Sequence, residues 1–127
     1  MIENGKITFV AGAAVSAKRL VQLFGREVIH NTEDAADDPI GITEYACTSG
    51  DASAIRLLND SGSFEATAAG AFSAGDDVYA AADGKVQGLP AVAGDYRKIG
   101  KALEDATADG DIVEILPYNY NATETVA

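Results

Sequence analysis

The sequence predicts an all-β fold, a small β-barrel or β-sandwich of short antiparallel strands with an extended N-terminal arm and at most one short helix. Gly-Asp steps stand just ahead of apolar, strand-like runs: Ala74-Gly75-Asp76 before Val78-Tyr79-Ala80, and Asp109-Gly110-Asp111 before Ile112 to Leu116. Asp83-Gly84 lies between Tyr79-Ala80 and Val86, where a hairpin needs its turn. Glycine takes a positive φ without steric cost and aspartate bonds its own backbone in a turn, so each step marks a place where one strand ends and another begins. Such turn signals recur at roughly 8–12 residues, the spacing of sandwiches and small barrels.

Residues 2–17, IENGKITFVAGAAVSA, form a first apolar block punctuated by Gly5 and Gly12. Lys6 to Val10 alternates imperfectly, so the block is either an edge strand of the domain or an arm that adds a strand to another chain. On the arm reading, Ile2, Ile7, Phe9, Val10 and Val15 are the contact residues, because an unpaired apolar strand edge is a liability until something covers it. Arg19 to Leu23 and Glu27 to His30 follow as a hairpin turned at Phe24-Gly25-Arg26. Thr32 to Pro39 is an acidic loop closed by proline.

Ile40 to Ala46, Ser53 to Asn59 and Ser63 to Ala68 are the next strands, parted by Thr48-Ser49-Gly50-Asp51 and Asp60-Ser61-Gly62. Asp77 to Ala81, Lys85 to Leu89, Ile99 to Leu103 and Ile112 to Leu116 complete the set. Gly100 to Ala108, GKALEDATA, is the one helix candidate, rich in helix formers but without a cap. From Pro117 the chain is polar, and a mobile ending is expected. The organisation is therefore an arm over residues 1–17, a β-rich domain over 18–117 and a polar tail over 118–127.

At 127 residues the chain fits one domain with one modest core. There is no Trp and only four Phe and five Tyr, so association with copies or a partner would add stability. Twenty acidic residues against nine basic ones give a net charge of −11, which opposes binding to nucleic-acid phosphates and to anionic membranes. The ordinary role of such charge is to keep a protein in solution. The lone Cys47 excludes an intrachain disulfide and a cysteine metal cluster, and suits a small buried thiol. Met1 is followed by Ile-Glu-Asn-Gly rather than by a basic and then apolar leader. No apolar run approaches the ~18 residues of a membrane span. Synthesis in the cytosol without an anchor is expected.

Constellations that would carry chemistry are incomplete. Asp105 to Ile112 matches the first places of an EF-hand calcium loop, but the place of the bidentate glutamate is Leu116 and the run after Asp111 is β-branched, so a turn leading into a strand is expected. Asp34, Asp37 and Asp38 read as a solvated loop. His30 is the only histidine, and Ser61 lacks the G-x-S-x-G elbow. Asp76 and Asp77 are adjacent, so on a strand they face opposite sides and cannot share a proton. Lys85, next to the Asp83-Gly84 turn, is the one residue that suits an alternative of another class, a biotinyl- or lipoyl-type carrier or small-molecule-binding β module. No catalytic, cofactor-binding or metal-binding residue is expected.

Four blocks carry a resemblance: ITFVAGAAVSA, the Pro39-Ile40-Gly41-Ile42 strand after the polar loop, GAFSAGDDVYAAADGKV, and the closing IGKALEDATADGDIVEILPY. In this order they resemble the small capsid decoration, or cement, proteins of tailed bacteriophages. The resemblance implies a non-enzymatic virion protein on the outer surface of the head, bridging copies of the phage major capsid protein, commonly as a homotrimer. With a capsid subunit as the partner that covers the N-terminal strand edge, Ile2, Ile7, Phe9, Val10 and Val15 are the expected capsid-binding residues. Tyr118 and Tyr120 in the tail match no feature of that family.

Overall fold

Short β-branched runs between Gly- and Asp-bearing turns leave little length for a helix, and the described residues fold as strands with one 3₁₀ turn at Ala82–Gly84. The computed structural model describes residues 6–59, 62–117 and 122–127. Strands β1 (Lys6–Ala11), β2 (Leu20–Phe24), β3 (Glu27–His30), β4 (Pro39–Thr43) and β5 (Ala52–Leu57) close into a barrel in the order β1-β3-β2-β4-β5. Strands β6 (Phe64–Thr67), β7 (Asp77–Ala80), β8 (Val86–Gln87), β9 (Gly94–Ala102) and β10 (Ile112–Leu116) form a sheet in the order β6-β10-β9-β7-β8. Strand β11 (Thr123–Val126) pairs with the first half of β9. The all-β expectation holds.

The second sheet repeats the first barrel. In both, the first and fifth strands pair antiparallel (β1 with β5, β6 with β10), and the second strand pairs with the third and the fourth. The β2–β4 ladder shifts register after Val21, and the β7–β9 ladder shifts after Val78. Ala11 pairs in parallel with Val28, as Ala68 does with Val86, and the bridge Val15–Cys47 has its counterpart in Phe72–Ala106. Gly41 and Gly100 face Val21 and Val78, and a Cβ on either would lie 2.4 Å from Arg56 O or 2.2 Å from Leu116 O. That near-identical steric demand in both halves is the mark of one unit used twice. The second unit is a sheet whose two end strands, β6 and β8, are linked at the Ala68–Val86 bridge, which rolls it into a second barrel.

Residues 2–17 admitted two readings, and within the described part Lys6–Ala11 is a barrel strand. β1 pairs with β5 from Lys6 to Val10 and with β3 at Val10 and Ala11. The helix candidate is not a helix: its first residues, Gly100 to Ala102, end β9, and the rest is turn and coil up to β10. Pairing on both edges of β9 overrides the helix propensity of Lys, Ala, Leu and Glu in that segment. The polar ending differs as well. Tyr118 and Tyr120 lie outside the described residues, but Thr123–Val126, with three β-branched residues in four, adds a strand to β9 rather than hanging free.

Two clusters make the core. Ala11, Val15, Val21, Val28 and Ile55 fill the first barrel, with Phe9, Ile40 and Cys47 packed against them. The second cluster joins the interior of the second barrel to Leu20, Ile42 and Leu58 on the outside of the first, so the two units share one core. Backbone contacts lock the junction: Thr67 donates through N and Oγ1 to Lys18 O, and Gly84 N donates to Asn31 O. Arg19 Nη1 donates to Asp83 O across the same seam.

Candidate functional site

Three strands of the first barrel present a row of side chains to the outside. Val10, Glu27 and Phe24 are direct ladder partners across β1, β3 and β2. Their neighbours Ala11 and Val28 point inward and are fully buried, so alternation turns the row outward. Phe24 is 64% exposed, Leu23 47% and Val10 43%, all at the end of the barrel where Gly25 turns the hairpin at φ +66°. Clustered exposed apolar side chains of this size mark a contact surface, whereas scattered ones do not.

Of the contact residues expected from sequence, Val10 reaches this surface. Phe9 is half-buried against the barrel core, and Val15 is buried and bridged to Cys47. Ile7 pairs with Ile55 inside the sheet, and Ile2 lies outside the described residues. Leu23 and Phe24 were not singled out by sequence, where Phe24 read as part of a turn. The missed signal was an aromatic residue beside a two-residue hairpin turn, where no core position requires one.

The segments that resemble chemical sites are held by the protein's own donors. Asp111 Oδ2 accepts from Thr107 N, Thr107 Oγ1 and Ala108 N, which hold its carboxyl below the usual aspartate range, and β10 starts at the next residue. Asp105 accepts from Ala74 N, and Asp109 pairs with Lys85 at 2.7 Å. In the acidic loop Asp34 Oδ1 accepts from Ala36 N, Asp37 accepts from the Thr32 hydroxyl, and Arg97 donates to Ala35 O. No group of three metal-ligating side chains converges among the described residues. Lys85 does not project from a free hairpin tip. The turn before it packs on the first barrel, where a Cβ on Gly84 would lie 2.4 Å from Leu20 O. Cys47 is half-buried, its Sγ 3.5 Å from Ala52 O.

A cleft of about 270 Å³ at the seam is lined by Lys18, Glu44, Arg56, Glu65 and Glu114 among others. Its charges are engaged: Lys18 lies 3.6 Å from Glu65, and Ser63 donates to Glu114 at 2.6 Å. Ligand sites need apolar walls with a few polar anchors, and this cleft is the reverse.

His30 has a structural task. Its Nε2 accepts from Ser16 N at 2.9 Å, which places the ring proton on Nδ1. Burial lowers the imidazole below its ordinary value, and the Arg19 charge lowers it further against a smaller opposing effect of Asp83. A group neutral in the fold takes up its proton more readily when unfolded. Its contribution is therefore complete above the unfolded value of ~6.5 and declines as pH falls below it. Thermal melts at pH 7.5 and 5.5 are expected to show a drop in Tm for the wild type that shrinks in His30→Gln. Equal drops in both proteins would refute this.

The geometry is that of a double barrel whose hairpin end exposes Val10, Leu23 and Phe24 around Arg26 and Glu27, with no assembled reaction centre among the described residues. The family model for phage cement proteins matches residues 2–117. The chain belongs to the phage cement protein family. It is thus a phage capsid-associated structural protein, and its family places it on the virion. No curated protein matches the sequence of this family member. Among solved structures, the head fibre gp8.5 N base of bacteriophage phi29 is similar, with a TM-score of 0.71 at 19% identity, covering 94% of this cement protein and 98% of that chain. At that identity the likeness is one of fold, and it extends over both barrels.

Proposed function

We propose that this cement protein binds the outer surface of a phage head and stabilises it by bridging major capsid subunits, as a homotrimer and without catalysis. The observation that carries the reading is the outward row of Val10, Glu27 and Phe24 with Leu23 beside it, two large apolar side chains flanking one carboxylate, on a member of the cement family. A clamp shares the load on a capsid by burying surface across subunits, and threefold symmetry matches the points where three subunits meet. A net charge of −11 keeps the unbound protein dispersed until an apolar contact holds it.

Cosedimentation with purified heads that lack the protein tests this. Phe24→Asp removes an exposed ring, so folding should be unchanged by circular dichroism. Burying a Phe at an interface contributes about 2 kcal/mol, so binding to heads is expected to weaken about thirtyfold. Undiminished decoration by Phe24→Asp together with Leu23→Asp would remove this end as the anchor. Light scattering of the free protein tests the trimer separately.

A further inference from the structure

The duplication makes two predictions about surfaces that a single barrel would not. The second barrel docks on the outside of the first through fully buried Leu20 and nearly buried Ile42, which are register partners on β2 and β4. The corresponding register pair on β7 and β9 is Asp77 and Lys101. Where the first barrel has two apolar side chains, the second has an ion pair at 3.1 Å, with Lys98 Nζ a further 3.2 Å from the other oxygen of Asp77. The docking elements are duplicated too. The second barrel meets the first through Thr67 and the Ala82–Gly84 turn, and the same places on the first barrel are Val10 and the Gly25-Arg26 turn beside Phe24. A repeat thus has two faces, and each barrel leaves one of them unused.

We propose that the Asp77, Lys98 and Lys101 face is a stacking surface closed by charge: it matches in position the Val10–Phe24 end of a second copy of this chain, and the cluster keeps that copy off. The seam within the chain is the interface that would be continued. A head-to-tail contact of this kind leaves a free face at each end, so unless its rotation closes a ring it runs on into filaments when nothing stops it. Arrays of stacked repeats end on polar outer faces for the same reason. Burying Asp77 and Lys101 against Val10 and Phe24 would strip an existing ion pair of water, and the one carboxylate in that row, Glu27, offsets only part of that cost. The cluster therefore leaves the apolar end of the first barrel for a different partner. This inference stands on the duplication and does not depend on the capsid reading.

The test is Asp77→Leu with Lys101→Ile in the full chain, the two residues that stand in these places on the first barrel. Sedimentation velocity over a range of concentrations is expected to show self-association beyond the wild-type state, strengthened about tenfold or more. Adding Phe24→Asp at the opposite end should abolish the gain, because the contact is head-to-tail. A folded double variant with wild-type mass at all concentrations overturns the proposal, as does association that Phe24→Asp leaves intact, which would be indiscriminate stickiness. Asp77→Asn with Lys101→Met removes two of the three charges while changing shape less, and should show the same gain in weaker form. If neither variant folds, the cluster is holding up the second barrel rather than guarding its face, and the proposal fails.

Discussion

A chain lacking residues 2–15 is expected to lose the folded first barrel, not merely a detachable arm. That segment holds all of β1, whose pairing with β5 runs from Lys6 to Val10 and whose pairing with β3 covers Val10 and Ala11. It also carries Ala11 and Val15, both in the barrel core, and the Val15–Cys47 bridge that ties the loop after β4. Without β1 the closed barrel becomes an open sheet with β3 and β5 exposed, and its interior meets water. The lost ladders and burial compare with the ~5–15 kcal/mol that holds a whole domain folded. Circular dichroism and a thermal melt of the truncated protein should show no cooperative transition for this barrel. A truncated chain that melts cooperatively near the wild-type temperature would show that β1 is dispensable. Decoration of heads would then decide whether the segment acts as an anchor.

The second large effect is expected at Gly84. Its φ of +71° is a conformation that side chains resist, and a Cβ there would lie 2.4 Å from Leu20 O and 3.1 Å from Leu20 N. Both obstacles are backbone atoms at the seam, and Gly84 N donates to Asn31 O at 2.8 Å, so the turn cannot move away without giving up the bond that docks it. Gly84→Ala combines left-handed strain of about 1–2 kcal/mol with overpacking of about 1–3 kcal/mol. A destabilisation of about 3 kcal/mol is therefore expected, read by urea denaturation. Gly75→Ala is the control. It has a similar φ of +91° but nothing within 4 Å of its Cβ, so it should cost only the strain. Equal losses at the two positions would mean that the seam is loose.

Both expectations rest on tertiary facts that the sequence carried only in part. The local chemistry of turns was legible: β3 and β10 run over the residues expected, β7 stops one residue short of its expected end, and β2 is shifted by one residue along the chain. The start of β9 at Gly94 was not, because Gly94, Asp95 and Arg97 carry no strand pattern of their own. They are held extended by pairing with β11, a contact between distant segments. The duplication was also present in plain letters, since Ala14-Val15-Ser16-Ala17-Lys18 stands to β2 as Ala71-Phe72-Ser73-Ala74-Gly75 stands to β7. Lys18 hides the match. It takes the same positive φ as Gly75, at 58° against 91°, in a place where a lysine gives no turn signal.

The candidate site divides in the same way. Val10 was singled out because an apolar strand must be covered by something, and that reasoning is local. Whether the cover is inside or outside is not local: alternation puts Val10 on one face and Ala11 on the other, but which face is the core depends on where β3 and β5 lie. Phe24 is exposed because the barrel ends at its hairpin, and nothing in the letters around it says so. The sequence by itself determined the strand class, most of the turns and the absence of a signature for catalysis, since these depend on residue types and spacings a few positions apart. Only the tertiary structure decided that Lys6–Ala11 is a barrel strand, that the unit is used twice and that one end exposes Val10, Leu23 and Phe24 while the corresponding docking face of the second unit carries an ion-pair cluster. Those outcomes depend on which strands become neighbours, and that is settled by the burial of a shared core rather than by any segment alone.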